Sequence, residues 1–278
     1  MRYAIFFCLF LFPVPCSAAL PDRPEELSGA LVLVGGGNMP NSVRDKFFEL
    51  AGKSKAKIVV IATPAIGDDD AINHVRLLSP WQKLDPLSLV LLPARDRKQA
   101  DDPDFVKPLT EATAVWFGGG DQARLIATFK GTLVEKELAN LFKRGKVIGG
   151  TSAGASIMSA IAIEGGNVHA RTVEGFGWLP GFVVDQHFLQ RNRVDRLLGV
   201  LEKNPGFVGL GIDEATAVVI RGRTISVIGD SYAVVCLAAS KNKTTSVQVL
   251  KSGGTADLFS LRRGALARAG EPFPPVKP

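Results

Sequence analysis

Five short apolar runs recur through the first two thirds of the chain: Ala30 to Val34, Lys57 to Ala62, Leu87 to Leu92, Ala112 to Phe117 and Lys146 to Gly149. Each is partly β-branched and runs into Gly or Pro, the pattern of strands buried on both faces of a parallel sheet. Helical periods fill the gaps. Ser42 to Leu50 opens on a Ser-x-x-Asp capping pattern, and Leu133 to Arg144 puts Val134, Leu138, Leu141 and Phe142 on one face before a basic end and Gly145. This alternation predicts an α/β fold, a mainly parallel sheet with helices on both faces. From about Ile212 the pattern turns β-rich, with Thr216 to Ile220, Thr224 to Ile228 and Tyr232 to Ala238 punctuated by Gly222 and Gly229-Asp230. These runs predict a C-terminal antiparallel β extension of the same domain. No repeat or linker divides the chain, so residues 20–278 read as one domain ending in a frayed Pro-rich tail, 272–278. Sites in such sheets lie at the carboxyl ends of the strands. The Gly-rich turns Gly35 to Gly37, Phe117 to Gln122 and Gly150 to Ser156 all follow strands and are expected to meet in one crevice.

Residues 1–19 change the picture of where this domain works. Arg2, the apolar run Ala4 to Phe12 and the small residues Ser17-Ala18-Ala19 read as a signal peptide, too short to span a bilayer. A secreted or periplasmic protein follows, starting near Leu20 and without stable membrane insertion after cleavage. Pro15 stands before Cys16 where a lipobox wants a small residue, which argues against lipidation. Cys8 and Cys16 leave with the signal, so Cys236 alone remains and no internal disulfide is available. A hydrophobic fraction of 46% supplies a core without one. The net charge of +6 is mild, and no basic run interleaved with aromatics marks a nucleic-acid partner.

The chemistry concentrates at Val147-Ile148-Gly149-Gly150-Thr151-Ser152-Ala153-Gly154-Ala155-Ser156. A serine between an apolar strand and a small-residue helix start is held on a sharp turn, away from the sheet, next to helix N–H groups that face a developing oxyanion. Ser152 is the candidate nucleophile. It needs a base, and the chain offers His74, His169 and His187. His74 follows Asp68-Asp69-Asp70 at a helix start and reads as solvated. His169 sits among Gly165, Gly166 and Asn167 in a surface loop, whereas His187 ends the apolar run Phe182 to Val184 and is the candidate base. Asp213-Glu214 precede a β-run in apolar surroundings, so Glu214 is the first choice to orient the imidazole and Asp213 the reserve. There is no H-E-x-x-H, no Cys/His cluster and no G-x-G-x-x-G around Gly35 to Gly37, so neither a metal nor a dinucleotide cofactor is expected.

Four motifs resemble serine peptidase family S51, the family of cyanophycinases and aspartyl dipeptidase. They are Phe117-Gly118-Gly119-Gly120-Asp121-Gln122; Gly150-Thr151-Ser152-Ala153-Gly154-Ala155; Asp185-Gln186-His187-Phe188 with Arg191, Arg193 and Arg196; and Gly211-Ile212-Asp213-Glu214-x-Thr216-Ala217. They stand in family order between about Ala30 and Ala238. The resemblance implies a flavodoxin-like, doubly wound fold close to class I glutamine amidotransferases, whose elbow carries cysteine where this chain has Ser152. It implies hydrolysis of cyanophycin, a polyaspartate bearing arginine on each side-chain carboxyl, to β-Asp-Arg dipeptides, and a homodimer. Matched position by position, Ser152 corresponds to the nucleophile, His187 to the base and Glu214 to its partner. Gln122, Asp185, Gln186, Arg193 and Arg196 correspond to substrate-binding positions.

In that scheme Ser152 attacks the β-carbonyl, and the oxyanion lies between the N–H of Ala153 and one from Gly119 or Gly120. Asp185 pairs with the substrate guanidinium. Arg193 and Arg196 share a helix face turned away from Val194, Leu197, Leu198 and Leu201 and hold carboxylates with their forks. One departure is that residues 157–184 form a shorter segment than the family pattern. It keeps a general β-aspartyl or isoaspartyl dipeptidase as the alternative. A non-catalytic amidotransferase-like binding protein is the other, and the complete Ser, His, Glu set argues against it.

Overall fold

The computed structural model describes residues 26–63, 71–93 and 95–271. The expected signal peptide, the Pro-rich tail and the side chain of His74 lie outside the described residues. Strand and helix alternate first: β1 (Leu27–Val34), α1 (Asn41–Ala51), β2 (Lys57–Ile61), α2 (Ala71–Gln82), β3 (Ser88–Leu92), α3 (Arg97–Ala100), α4 (Pro103–Thr110), β4 (Ala114–Phe117), α5 (Gln122–Phe129), α6 (Leu133–Lys143), β5 (Val147–Thr151) and α7 (Ala153–Ser156). Strands then dominate: β6 (Ser159–Gly165), β7 (Arg171–Glu174), β8 (Leu179–Gln186), α8 (Val194–Lys203), β9 (Val208–Ile212), β10 (Thr216–Gly222), β11 (Thr224–Gly229), β12 (Tyr232–Leu237), β13 (Ser246–Lys251), β14 (Thr255–Asp257) and α9 (Leu258–Ala269).

The five apolar runs form the parallel half of an eight-stranded sheet of order β14-β11-β10-β1-β5-β4-β2-β3. The other half is the expected antiparallel extension, with β10 on β1, β11 on β10 and β14 on β11. The third run of that extension, Tyr232 to Ala238, is antiparallel as expected but lies in a second sheet, where β12 pairs with β9 and β13 in the order β13-β12-β9-β8-β6-β7. Ala233 to Cys236 is buried throughout, which tells that the strand is central to a sheet and says nothing of which sheet.

Leu31 and Leu33 on one face of β1 belong to a core that takes in Leu109, Leu125, Leu138 and Leu141 from α4 to α6. The same core holds Phe182, Leu210 and Ile212 of the second sheet. The opposite face, Val32 and Val34, packs with Val43 and Phe47 of α1, Trp81 of α2 and Trp116 of β4. Helices therefore cover both faces of the first sheet, and on one side the second sheet joins them. α8 closes the outside of that second sheet with Leu197, Val200 and Leu201 against Val183, Phe188, Val234 and Cys236. Among the described residues no helix is long and apolar enough to cross a membrane. The consequence for function is geometric: β1 and β5 end in register at Val34 and Thr151, β8 and β9 at Gln186 and Ile212, and the two pairs of strand ends meet.

Candidate active site

Ser152 occupies the single residue between β5 and α7, at φ 53° and ψ −114°. A side-chain-bearing residue held there stores on the order of 1–3 kcal/mol of strain. Its N–H donates to the carbonyl of Val34 at 2.9 Å, and its carbonyl accepts from Ala155 and Ser156 at 3.0 and 3.1 Å. The small neighbours let this turn close. A Cβ on Gly150 would lie 2.7 Å from the backbone of Gly154, and one on Gly154 would lie 2.7 Å from Phe117.

Two further strand ends complete a line of hydrogen bonds. β8 delivers His187, also left-handed at φ 48°, whose N–H donates to the Gly35 carbonyl at 2.7 Å. The chain crosses from β9 in one sheet to β10 in the other through Asp213 to Ala215, which delivers Glu214. Ser152 Oγ lies 2.8 Å from His187 Nε2, and His187 Nδ1 lies 2.5 Å from Glu214 Oε1. A carboxylate only accepts, so the proton sits on Nδ1 and the lone pair of Nε2 accepts from the serine hydroxyl. His187 is 12% exposed and Glu214 34%, so solvent reaches the acid end of the line more freely than the imidazole.

The reserve acid has another task. Asp213 Oδ1 accepts from the N–H groups of Leu189 and Gln190 at 3.0 and 2.9 Å, and Oδ2 accepts from Ser231 Oγ at 2.7 Å. It therefore pins the turn that follows His187. His169 lies in an exposed bend between β6 and β7, as its glycine-rich surroundings predict.

The Phe117 to Gln122 turn reaches the same rim, for a Cβ on Gly119 would lie 3.6 Å from that of Ser152. Sequence reasoning missed one residue that shapes it. Thr63 Oγ1 donates to the Gly119 carbonyl at 2.7 Å, and in a trans peptide this turns the N–H of Gly120 to the opposite side. The only signal in the sequence was the position of Thr63 just past the end of β2.

The polar residues beside the line are arranged differently from the expectation. Arg193 caps α8 rather than lying within it, and Arg196 is 3% exposed, folded beneath the helix with Leu197. Arg196 Nε donates to Asp185 Oδ2 at 2.9 Å and its Nη2 to Asp185 Oδ1, while Nη1 donates to the Gly166 carbonyl at 2.6 Å. The expected outward face shared by Arg193 and Arg196 is thus corrected, and Asp185, expected to meet a substrate guanidinium, already holds that of Arg196. An unpaired buried carboxylate is costly, and the chain supplies its own cation. Even so, burial pushes the Asp185 carboxyl above the ordinary carboxylate range, against the pull of Arg196.

Arg193 Nη1 donates to the Gln186 carbonyl at 2.6 Å and to Gln186 Oε1, and burial together with nearby Arg196 lowers its pKa to about 10. Gln122 Nε2 donates to the carbonyls of Ile163 and Glu164 at 2.8 and 2.7 Å, which leaves its amide oxygen, an acceptor, to offer elsewhere.

Comparison with known proteins finds relatives along most of the chain. The model of peptidase family S51 matches residues 30–228, a span that includes every residue named in this site except Ser231. A cyanophycinase of Geminocystis herdmanii is 33% identical over 217 residues, 74% of this chain and 79% of that protein. One from a Nostoc species is 31% identical over 218 residues, 74% and 72% of the two chains. A crystal structure of a peptidase from an acI-B1 actinobacterium shares the fold with a TM-score of 0.66 at 24% identity, covering 86% of this chain and all of that one.

Proposed function

The chain belongs to peptidase family S51 and is a serine-type peptidase, and from that premise we propose that it hydrolyses cyanophycin to β-Asp-Arg dipeptides through an acyl-enzyme on Ser152. The observation that carries this reading is the unbroken line from Ser152 Oγ through His187 to Glu214. The names of the relatives supply the substrate.

Mass balance decides which bond breaks. A β-Asp-Arg product keeps its isopeptide link, so the scissile bond is the main-chain amide between successive aspartates, and the β-carbonyl attack expected from the sequence is corrected to the main-chain carbonyl. Ser152 Oγ adds to that carbonyl while His187 Nε2 takes its proton. The oxyanion is met by the N–H of Ala153, which opens α7 and has no carbonyl one turn back, and by that of Gly120. Collapse expels the aspartate amine, which receives the proton from Nε2. Water then attacks the acyl carbon with His187 again as base, while Glu214 holds the ring and balances the charge of the imidazolium.

Around this centre, Arg193 is assigned to a substrate carboxylate through its Nε and Nη2. Gln186 offers the donor Nε2, and Gln122 offers an acceptor suited to a guanidinium. Asp185 and Arg196 act one step back, holding the wall on which Arg193 and Gln186 stand. A signal peptide suits an enzyme that digests polymer released by other cells, and a homodimer is carried over from the family.

The test supplies the purified enzyme with insoluble cyanophycin and with α- and β-linked aspartyl dipeptides, and identifies products by mass. Clearing of the polymer with release of β-Asp-Arg is expected, and Ser152→Ala abolishes it. Cleavage of β-aspartyl dipeptides with the polymer intact makes the chain a general β-aspartyl dipeptidase instead.

A further inference from the structure

The Gly35-Gly36-Gly37 turn plays no part in the chemistry above, yet together with Val34 at the end of β1 it contacts every segment of the Ser152, His187, Glu214 line. Three consecutive carbonyls each accept one N–H from a segment carrying one of them. Val34 accepts from Ser152 at 2.9 Å, Gly35 from His187 at 2.7 Å, and Gly36 from Ala215, the neighbour of Glu214, at 3.0 Å. These residues come from three separate strand ends in two sheets, and β1 is the common ground on which they are placed.

The missing side chains matter as much as the carbonyls. A Cβ on Gly36 would lie 2.8 Å or less from Cε1, Nε2 and Nδ1 of His187, inside the imidazole. A Cβ on Gly37 would lie 2.8 Å from Glu214 Oε2 and 2.9 Å from its Cβ. The backbone turns left-handed at both positions, φ +111° and +69°, so glycine is suited to them twice over.

We infer that Gly35 to Gly37 is the template that sets the line in register, and that Gly36 and Gly37 are positioning residues whose bare Cα atoms form the slots for the His187 ring and the Glu214 carboxylate. This inference rests on the catalytic reading of Ser152, His187 and Glu214. Neither glycine touches substrate in it. Their effect runs through where the base and its partner stand.

The test must separate displacement of the line from plain backbone strain. Two glycines far from the site provide matched controls. Gly52 has φ +107° with no neighbour to an added Cβ closer than 3.9 Å, and Gly270 has φ +73° with none within 4 Å. Gly36→Ala is compared with Gly52→Ala, and Gly37→Ala with Gly270→Ala. Each is assayed for kcat and KM on a soluble oligomer of β-Asp-Arg units and for the rate at which a small serine-directed phosphonate labels Ser152.

Displacing a catalytic group by about an ångström costs roughly 100-fold, so Gly36→Ala is expected to lose about that factor in both kcat and labelling rate, and Gly37→Ala roughly tenfold, with KM unchanged. The controls lose similar thermal stability and keep both rates. If Gly36→Ala does not fold, Gly37→Ala decides alone. Folded Gly36 and Gly37 variants that label Ser152 at the wild-type rate overturn the template while leaving the catalytic reading in place. Wild-type protein that neither labels at Ser152 nor cleaves the oligomer overturns the catalytic reading, and the template with it.

Discussion

Arg196 and Arg223 grip their aspartates in the same way, Nε on one carboxylate oxygen and Nη2 on the other, but in opposite surroundings. Arg196 and Asp185 beside the active site are 3% and 1% exposed, whereas Arg223 and Asp257 at the start of α9 are 43% and 38% exposed. The carboxyls respond in opposite directions. The hydrogen bond from Arg223 holds Asp257 down at about 2, while burial drives Asp185 up in spite of an equivalent partner. Attraction between a forked cation and a carboxylate is therefore not a fixed quantity. In the exposed pair it outweighs the loss of hydration, and in the buried pair it does not. The buried fork is better understood as the part that holds Gly166, Asp185 and the start of α8 together behind Arg193 than as a source of net stability.

The largest expected effect comes from breaking the buried fork on one side. Arg196→Leu removes both hydrogen bonds to the buried Asp185 carboxylate, leaving only Arg193 Nη1 at 3.6 Å, and is expected to cost about 3–5 kcal/mol in urea unfolding. Adding Asp185→Leu removes that poorly compensated charge and is expected to return most of the loss, while activity stays low because the wall behind Arg193 is gone. A double variant as unstable as the single one would show that the fork contributes net stability after all.

Next in size is Arg193→Lys. An ammonium lacks the planar fork that can grip a substrate carboxylate bidentately while also bonding Gln186, so KM on a β-Asp-Arg oligomer is expected to rise about tenfold with kcat little changed. An unchanged KM would assign Arg193 to structure alone.

The exposed fork gives the smallest effect. Arg223→Gln is expected to cost less than about 1 kcal/mol at neutral pH, since exposed pairs are screened. The depressed pKa of Asp257 sets the sign of its pH dependence. The contribution is complete above the ordinary value of 3.8 and fades as pH falls to about 2, so wild type and variant should converge across that window. A gap that persists below about pH 2 would place the effect of Arg223 outside the ion pair.

What the sequence revealed follows the same division between groups that carry a local signal and groups that need a partner. The five parallel strands were legible because strands buried on both faces carry unbroken apolar runs. The second sheet was not. β7 is mostly exposed, and β13 turns its alternating Val247 and Val249 to solvent, so in these edge strands the apolar residues do not mark a buried face. β9 reads Val-Gly-Leu-Gly-Ile, with glycines because Leu197 and Phe188 fill the space where their side chains would be. Ser152, His187 and Glu214 were legible because each stands at a strand end in a short, marked motif. The fates of Asp185 and Arg196 were not, since helical spacing gives the face from which a long side chain starts and not whether it folds back beneath its own helix. Gly35 to Gly37 was visible as a motif, but its role depends on two ring and carboxylate positions set by distant segments.

The central claim is that Ser152 is the nucleophile activated by His187. Its most direct test treats the full chain with a serine-directed phosphonate and maps the adduct by peptide mass, in wild type and in His187→Ala. A single adduct on Ser152, formed at least about 100-fold more slowly without the imidazole, is the predicted result. An adduct on another serine, or hydrolysis of β-Asp-Arg oligomers that continues with Ser152 unmodified, would contradict it.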